Sequence, residues 1–491
     1  MLRLRSLDFL MQTTRITLAM LIGLLAGCQT THRAAYTSHN PNGNGSAQPQ
    51  IAQDASAIKP LPNTLDPSVR QAAFVQPADA PPEPEPLALP TPAIEPASDL
   101  TLQQLEQIAL ASNPSVARAA AQLNALQGKW VQAGLPPNPR IGYAGEEIGD
   151  DGTAGQQGGF VGQRFITGGK LGLNRAVVSQ EVVRAEQHLA AQQQRVLTDV
   201  RTGYYDVLIA QRQLDLAREL VGVSNQAVNA SQELVKAKEI PRVGLLQTEV
   251  EAENARILLR RAENGNVAAW RRLTSVLGRP TLAPQRLVGD LDQAAADLNW
   301  AEQLQRLVTQ SPEIAGVVAE LERARWALDR AYAEVTPDLN VQVAVQHDNA
   351  TDDTIAGIQV GLPIPLWNKN QGGIQQARSE IAAAERNIER VELDLRQRLA
   401  TAFQQYADAK YQVERFSTVI LPKAKETFDL VTKGYTQGEV GYLDMLTAQR
   451  TYFQTNLSYI EALRELWRAT LRIDGMLLEG SLASDTIRPE Q

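Results

Sequence analysis

Cys28 is the only cysteine in 491 residues. This excludes a disulfide framework and a cysteine-rich metal centre. Histidine is also scarce: His32, His39, His188 and His347 lie far apart. No P-loop, His-Glu-x-x-His, Cys-x-x-Cys or Gly-x-Ser-x-Gly pattern occurs, so the sequence offers no catalytic constellation, no cofactor and no metal site. Aromatic residues make up 5% of the chain. Ala, Gln, Glu, Arg and Leu dominate instead, a composition that favours long helices over compact globules. The net charge of -8 gives no electrostatic reason to expect nucleic acid. The one long apolar run near the start, Ile16 to Ala26, is too short to span a bilayer.

That run has the length of a signal h-region and follows Arg3, Arg5 and Arg15. It ends at Leu25, Ala26, Gly27 and Cys28, which resembles a bacterial lipobox. Residues 1–28 are therefore expected to be a lipoprotein signal ending at a lipidated (palmitate-bearing) Cys28. Gln29, rather than Asp, is compatible with sorting to the outer membrane. Asp8 is unusual in an n-region, and Met11 offers a second start. Residues 29–98 carry 13 of the 26 prolines. Such a stretch buries too little to offset its ordering entropy and is expected to be a disordered tether.

From Thr101 onward the chain runs twice through one plan, offset by about 198 residues. Asn113-Pro114 answers Ser311-Pro312, Pro139 answers Pro337, and Lys170 answers Lys369. Val243-Gly244 answers Val440-Gly441, and Trp270 answers Trp467. The repeats are expected at 99–285 and 286–480, with a short tail at 481–491. Each reads helix, strand pair, long helix, tight turn, long helix. In the first, a helix over Thr101–Ala133 precedes strands near Arg140–Glu147 and Gly158–Ile166. A long helix over Gly169–Lys238, interrupted at Gly203 and Gly222, then turns at Pro241 into a return helix over Leu245–Leu277. In the second, a helix over Trp300–Glu334 precedes strands over Asp338–Gln346 and Thr354–Leu362. The outgoing helix carries Ile381, Ile388, Leu395, Ala402, Ala409 and Phe416 at sevens, and the return helix Leu446, Phe453, Ile460 and Trp467. These are helix-to-helix seams. Pro422 is expected to kink the outgoing helix.

The strands alternate. Leu339, Val341, Val343 and Val345 face one way, and Asn340, Gln342, Ala344 and Gln346 the other. A barrel wall between lipid and water has this pattern, as does a half-buried soluble sheet. Four strands cannot enclose an aqueous lumen, and open edges in hydrocarbon would leave backbone groups unpaired. Several chains must contribute, and three would supply twelve strands. The expected fold class is mainly α with a transmembrane β-barrel portion, built from a duplicated helix–β-hairpin–long α-hairpin unit. Glu146, Glu147, Asp150 and Asp151 fall between the first strands, and His347, Asp348, Asp352 and Asp353 between the second. They form either an acidic mouth or solvated loop charge.

This plan resembles that of the TolC-type outer membrane factors over about Leu100 to Leu478. The resemblance rests on the duplication and on the second turn, Gly434, Tyr435, Gly438, Val440, Gly441, Leu443, Asp444, Leu446 and Gln449. The stretch Leu362-Pro-Ile-Pro-Leu-Trp-Asn-Lys-Asn-Gln-Gly372 is similar to the cobalt–zinc–cadmium efflux branch. The resemblance implies a homotrimer with a twelve-strand β-barrel in the outer membrane of a Gram-negative bacterium. A twelve-helix α-barrel would continue it into the periplasm. It implies a periplasmic adaptor (membrane fusion protein) as partner. It also implies an inner-membrane pump, of the resistance-nodulation-division type or an ATP-driven exporter. The chain would then be the exit duct of a tripartite efflux system. Val243, Gly244, Gly438, Val440 and Gly441 would be adaptor-contacting tips, and Tyr435 and Asp444 would sit at the gate. Three copies of Asp444 about a narrow axis would form an acidic ring. Gln247 is expected at the matching place in the first repeat. The chain departs from the family at Val440, where a basic residue is usual. A type I protein-secretion duct is the alternative within the family, and a periplasmic coiled-coil adaptor or scaffold lipoprotein the alternative outside it.

Overall fold

The computed structural model describes residues 100–152, 154–292, 297–437 and 439–483. The expected signal segment with Cys28, the expected tether, Gly438 and residues 484–491 of the expected tail lie outside the described residues. The first repeat comprises α1 (Leu102–Ser112), α2 (Pro114–Ala133), β1 (Arg140–Glu146), β2 (Gln156–Phe165), α3 (Lys170–Lys236) and α4 (Arg242–Val276). The second comprises α5 (Trp300–Gln310), α6 (Pro312–Ala333), β3 (Leu339–Asp348), β4 (Asp353–Gly361), α7 (Gln371–Arg415), α8 (Leu421–Thr436) and α9 (Tyr442–Asp474). A π-helical segment, Phe416–Ile420, joins α7 to α8.

Both opening helices break where the sequence reading had each continuous. Asn113 and Ser311 each precede a proline, and such a residue is pushed out of the helical region. Each instead caps the next helix, with ψ near extended values of 122° and 125°. The Asn113 side chain accepts from the Ser115 N–H and donates to the Val276 carbonyl at 2.7 Å. The long helix α3 runs unbroken for 67 residues, so Gly203 and Gly222 do not interrupt it. Gly203 faces Leu273, whose Cδ1 would lie 3.1 Å from an added Cβ, so this glycine permits close packing of α4. At 1.5 Å per residue α3 is about 100 Å long.

Two cores form, the second of them on the expected seam. In the first repeat Leu105, Ile108, Val196, Val200, Leu273 and Leu277 bury together. In the second, Leu395, Ala402 and Ala409 of the predicted stripe are buried with Leu399, Leu466 and Ile473. Ile209, Ile460 and Leu463 join the two repeats. The linker between them is tied down by aromatic side chains with polar tips. Tyr204 donates to the Val288 carbonyl, Trp270 to that of Leu282 and Trp467 to that of Leu291. The Tyr459 hydroxyl donates to Asp292 at 2.8 Å.

One buried ionic cluster fixes the sheet to the helices. Lys170, the first residue of α3, lies 2.8 Å from Asp338, just before β3. Arg164 on β2 reaches the other Asp338 oxygen at 2.7 Å, and the Thr167 N–H donates to Asp338 at 3.2 Å. Burial pushes the Asp338 carboxyl up, but hydrogen bonds from Lys170, Arg164 and Thr167 outweigh it and hold it down at about 2. Lys369, its sequence counterpart to Lys170, is exposed instead.

Two outcomes follow from the cluster. Asp338→Asn leaves the Lys170 charge buried without its partner, and should cost about 3–5 kcal/mol. Thermal melting of the helical circular dichroism in detergent measures it. A depressed carboxyl contributes stability above its unfolded value of 3.8 and loses it as pH falls towards about 2. The wild type should therefore lose its margin over Asp338→Asn across that acid window.

Candidate functional site

The sheet has the order β1-β2-β3-β4, with every pair antiparallel. Its register assigns each side chain to a face. Ile141, Val161, Val343 and Ile358 lie opposite one another in one row. Tyr143, Gly159, Val345 and Ala356 form the next, and Gln163, Val341 and Val360 the row on the other side. These apolar groups are open to the surroundings: Ile141 is 81% exposed and Ile358 75%. The reverse face is small and polar. Arg140, Gly162, Gln342 and Gln359 share one row, and Glu146, Gln156, Asp348 and Asp353 the outermost. On this face Phe160 lies over Gly142, where an added Cβ would sit 2.6 Å from its ring. β1 and β4 are the free edges. A sheet with one exposed apolar face, one polar face and two unpaired edges is a wall segment awaiting neighbours.

The opposite end carries two helix-to-helix turns built alike. After α3, Lys238 takes a left-handed conformation (φ 64°), and the Glu239 N–H donates to the Leu234 carbonyl at 2.9 Å. After α8, the Glu439 N–H donates to the Gly434 carbonyl at 2.9 Å. Both bonds span six residues, the closure of a Schellman turn. The next helices start from extended N-caps, Pro241 (φ -73°, ψ 153°) and Gly441 (φ -72°, ψ 155°). Counted from these caps, the third residue of α9 is Asp444 and that of α4 is Gly244. Val243 therefore answers Leu443, not Val440, and Gln247 does not occupy the place of Asp444. The sequence pairing slipped because the shared Val-Gly dipeptide ends on the cap itself in the second turn, at Gly441, but follows the cap by two residues in the first.

The predicted tip residues are distributed as follows. Val243, Gln247, Gly441 and Asp444 are exposed, and Gly244 and Val440 are half-buried. Val440 packs on Gly434, where a Cβ would meet it at 2.6 Å. Asp444 stands in the first turn of α9, its carboxylate folded back towards Gly441. Tyr435 is half-buried, and its ring lies 6.2 Å from that of Tyr442. The Tyr435 hydroxyl is buried without a hydrogen-bond partner. Burial raises Tyr442 to about 12, with Glu251 and Tyr435 adding to the shift.

Sequence reading missed the contact that joins the two hairpins here. Arg450 on α9 makes a two-pronged ion pair with Glu251 on α4, at 3.0 Å and 2.5 Å. The hydrogen bond from Arg450 holds the Glu251 carboxyl below its usual range. The residues lie about 200 apart in the chain, and only tertiary structure brings them together. Among the described residues no group of three or more His, Cys, Asp or Glu side chains could hold a metal ion. No described helix is long and apolar enough to cross a membrane.

Comparison with known proteins places these features. The family described as outer membrane efflux protein matches twice, over residues 105–279 and 303–477. The chain is 28% identical over 388 residues to the cobalt-zinc-cadmium resistance protein CzcC of Cupriavidus metallidurans, covering 78% of this chain and 91% of that one. It is 24% identical to the nickel and cobalt resistance protein CnrC of the same organism, covering 62% and 73%. Among solved structures it is similar to CusC (TM-score 0.66, 17% identity, covering 78% and 93%). It is also similar to the open state of the MtrE outer membrane channel of Neisseria gonorrhoeae (TM-score 0.64, 18% identity, covering 77% and 89%). The chain belongs to the outer membrane efflux protein family, and its fold and place are those of an outer-membrane efflux channel.

Proposed function

We propose that three copies of this chain close one twelve-stranded barrel and serve as the passive exit duct of a tripartite system that exports metal cations. Channels of this family work as homotrimers with a periplasmic adaptor and an inner-membrane pump. The observation that carries the reading is the four-stranded wall with two free edges, apolar outside and polar within. Helices of about 100 Å supply the length of a periplasmic crossing. Energy comes from the partner pump, of the resistance-nodulation-division type. The similarity to CzcC and CnrC, two metal-resistance proteins, supports metal cations as cargo over organic solutes or secreted polypeptides. A strain lacking the channel should accumulate zinc, cobalt or cadmium and regain resistance when it is restored. Unchanged metal content would remove metals as cargo.

The tips supply the gate and the adaptor surface. Val243, Gly244, Val440 and Gly441 lie in or beside the two turns, where a second helical hairpin can approach closely, and Gly438 belongs to the same proposed surface. Tyr435 and Asp444 belong to the second turn, and Gln247 follows the first. The Arg450–Glu251 pair holds one hairpin against the other and contributes to the closed state. Cys28 carries the lipid, 29–98 form the tether, 99–285 and 286–480 the two repeats, and 481–491 the tail.

Three measurements test this reading. Asp444→Ala should raise single-channel conductance or remove block by divalent cations in a planar bilayer; identical currents would refute an acidic ring. Arg450→Ala and Glu251→Gln should each raise conductance, with no further gain when combined. Glu251 keeps its charge until pH falls below its ordinary value of 4.5, so the wild type should open by this route only in more acid solution. Additive effects would show that the two side chains do not act together. Cys28→Ser should abolish acyl labelling while sparing the trimer, and persistent labelling would place the lipid elsewhere.

A further inference from the structure

The hydrogen-bonded ladder supplies an apolar band that is short for a membrane. On its outward face the apolar rows run from Val345 down to Leu339, six residues apart on β3. The next row outward is polar: His347, Thr354 and Gln157. Six residues at about 3.4 Å each, tilted by about 40°, give a height of roughly 15 Å. An outer-membrane barrel presents an apolar band about 25 Å tall.

The deficit lies at the helix-proximal end, and β4 continues past the ladder on that side. Ala356, Ile358 and Val360 belong to the outward face, and Leu362, Ile364 and Leu366 follow in the same parity. All three are exposed, and Trp367, the next residue, is 87% exposed. Pro363 and Pro365 occupy the intervening positions and have no amide to offer a ladder partner; the strand direction holds to Ile364, and the chain then turns about Pro365, where the Leu366 N–H donates to the Ile364 carbonyl at 2.9 Å. From Leu362 to Ile364 the same rise and tilt add about 5 Å, and Leu366 and Trp367 follow in the turn at the end of this lengthened band. Phe165, also on the outward face and half exposed, ends β2 at the level of Leu339. Aromatic residues therefore mark this boundary, as Tyr143 marks the outer apolar row. Aromatic girdles of this kind sit where hydrocarbon meets headgroups.

From this we infer that Leu362–Trp367 is a membrane-interface anchor: its exposed apolar side chains lengthen the periplasmic-leaflet part of the barrel's lipid belt, and Trp367 lies at the headgroup boundary. The partner is phospholipid. The inference rests on the barrel reading, and the experiment separates the two.

The full chain is reconstituted in phosphatidylcholine vesicles carrying bromine either near the headgroup or near the chain end. The Trp367 signal is the difference between the wild type and Trp367→Phe. A control, Val343→Trp in the Trp367→Phe background, reports the middle of the wall. Bromine near the headgroup should quench roughly half of the Trp367 signal, and deep bromine much less, as for a residue of an interfacial belt. The control should show the reverse order. A quenched control with Trp367 insensitive to both lipids overturns the anchor. Efficient quenching by acrylamide would then show that the segment faces water, and its absence that a neighbouring copy covers it. A control quenched by neither lipid contradicts the barrel, and the anchor with it.

Discussion

A backbone amide or carbonyl in hydrocarbon has no water to pair with, and each unpaired group costs several kcal/mol. Every larger feature of this protein follows from that cost. One chain supplies four strands and ends with two bare edges, β1 and β4. The apolar face is turned outward and has no partner within the chain. Closure must come from further copies, and three copies of a four-stranded wall give a barrel wide enough for water. The chain thus meets the demands of the bilayer only as an assembly.

The same constraint explains how the wall is fastened. The strands must meet the helices at a fixed angle, or the lumen would not continue from one to the other. Lys170, Arg164 and Asp338 make that joint, binding the start of α3, the end of β2 and the entry to β3 through one carboxylate. Further along, the aromatic ties of the inter-repeat linker hold the hairpins together near the middle of α3. The π-helical segment before Pro422 occurs in the outgoing helix of the second repeat, whereas α3 runs unbroken in the first. Inserted turns of this kind are frequent at functional sites. Here it leads into the hairpin that carries Tyr435 and Asp444.

Much of this was legible in the sequence for identifiable reasons. The strands show because lipid on one side and water on the other impose a strict period of two. The duplication shows because paired prolines and glycines fall at matching spacings. The breaks at Asn113 and Ser311 were spelled out by the prolines that follow them, but helical periodicity on both sides masked them. Gly203 and Gly222 misled in the opposite sense: an isolated glycine costs a helix only about 1 kcal/mol, which packing readily offsets. Tip equivalence was lost because a dipeptide match overrode the capping geometry. The Glu251–Arg450 pair had no local signal, since nothing in either helix names its partner.

The direct test of closure is to place single cysteines on the outward face of β1, at Ile141 or Tyr143, and on that of β4, at Ile358 or Val360, then to oxidise the protein in its membrane. If β4 of one copy pairs with β1 of the next, at least one combination must give covalent trimers on a denaturing gel. Monomers from every combination, or a bridge formed only within one chain, would contradict the account.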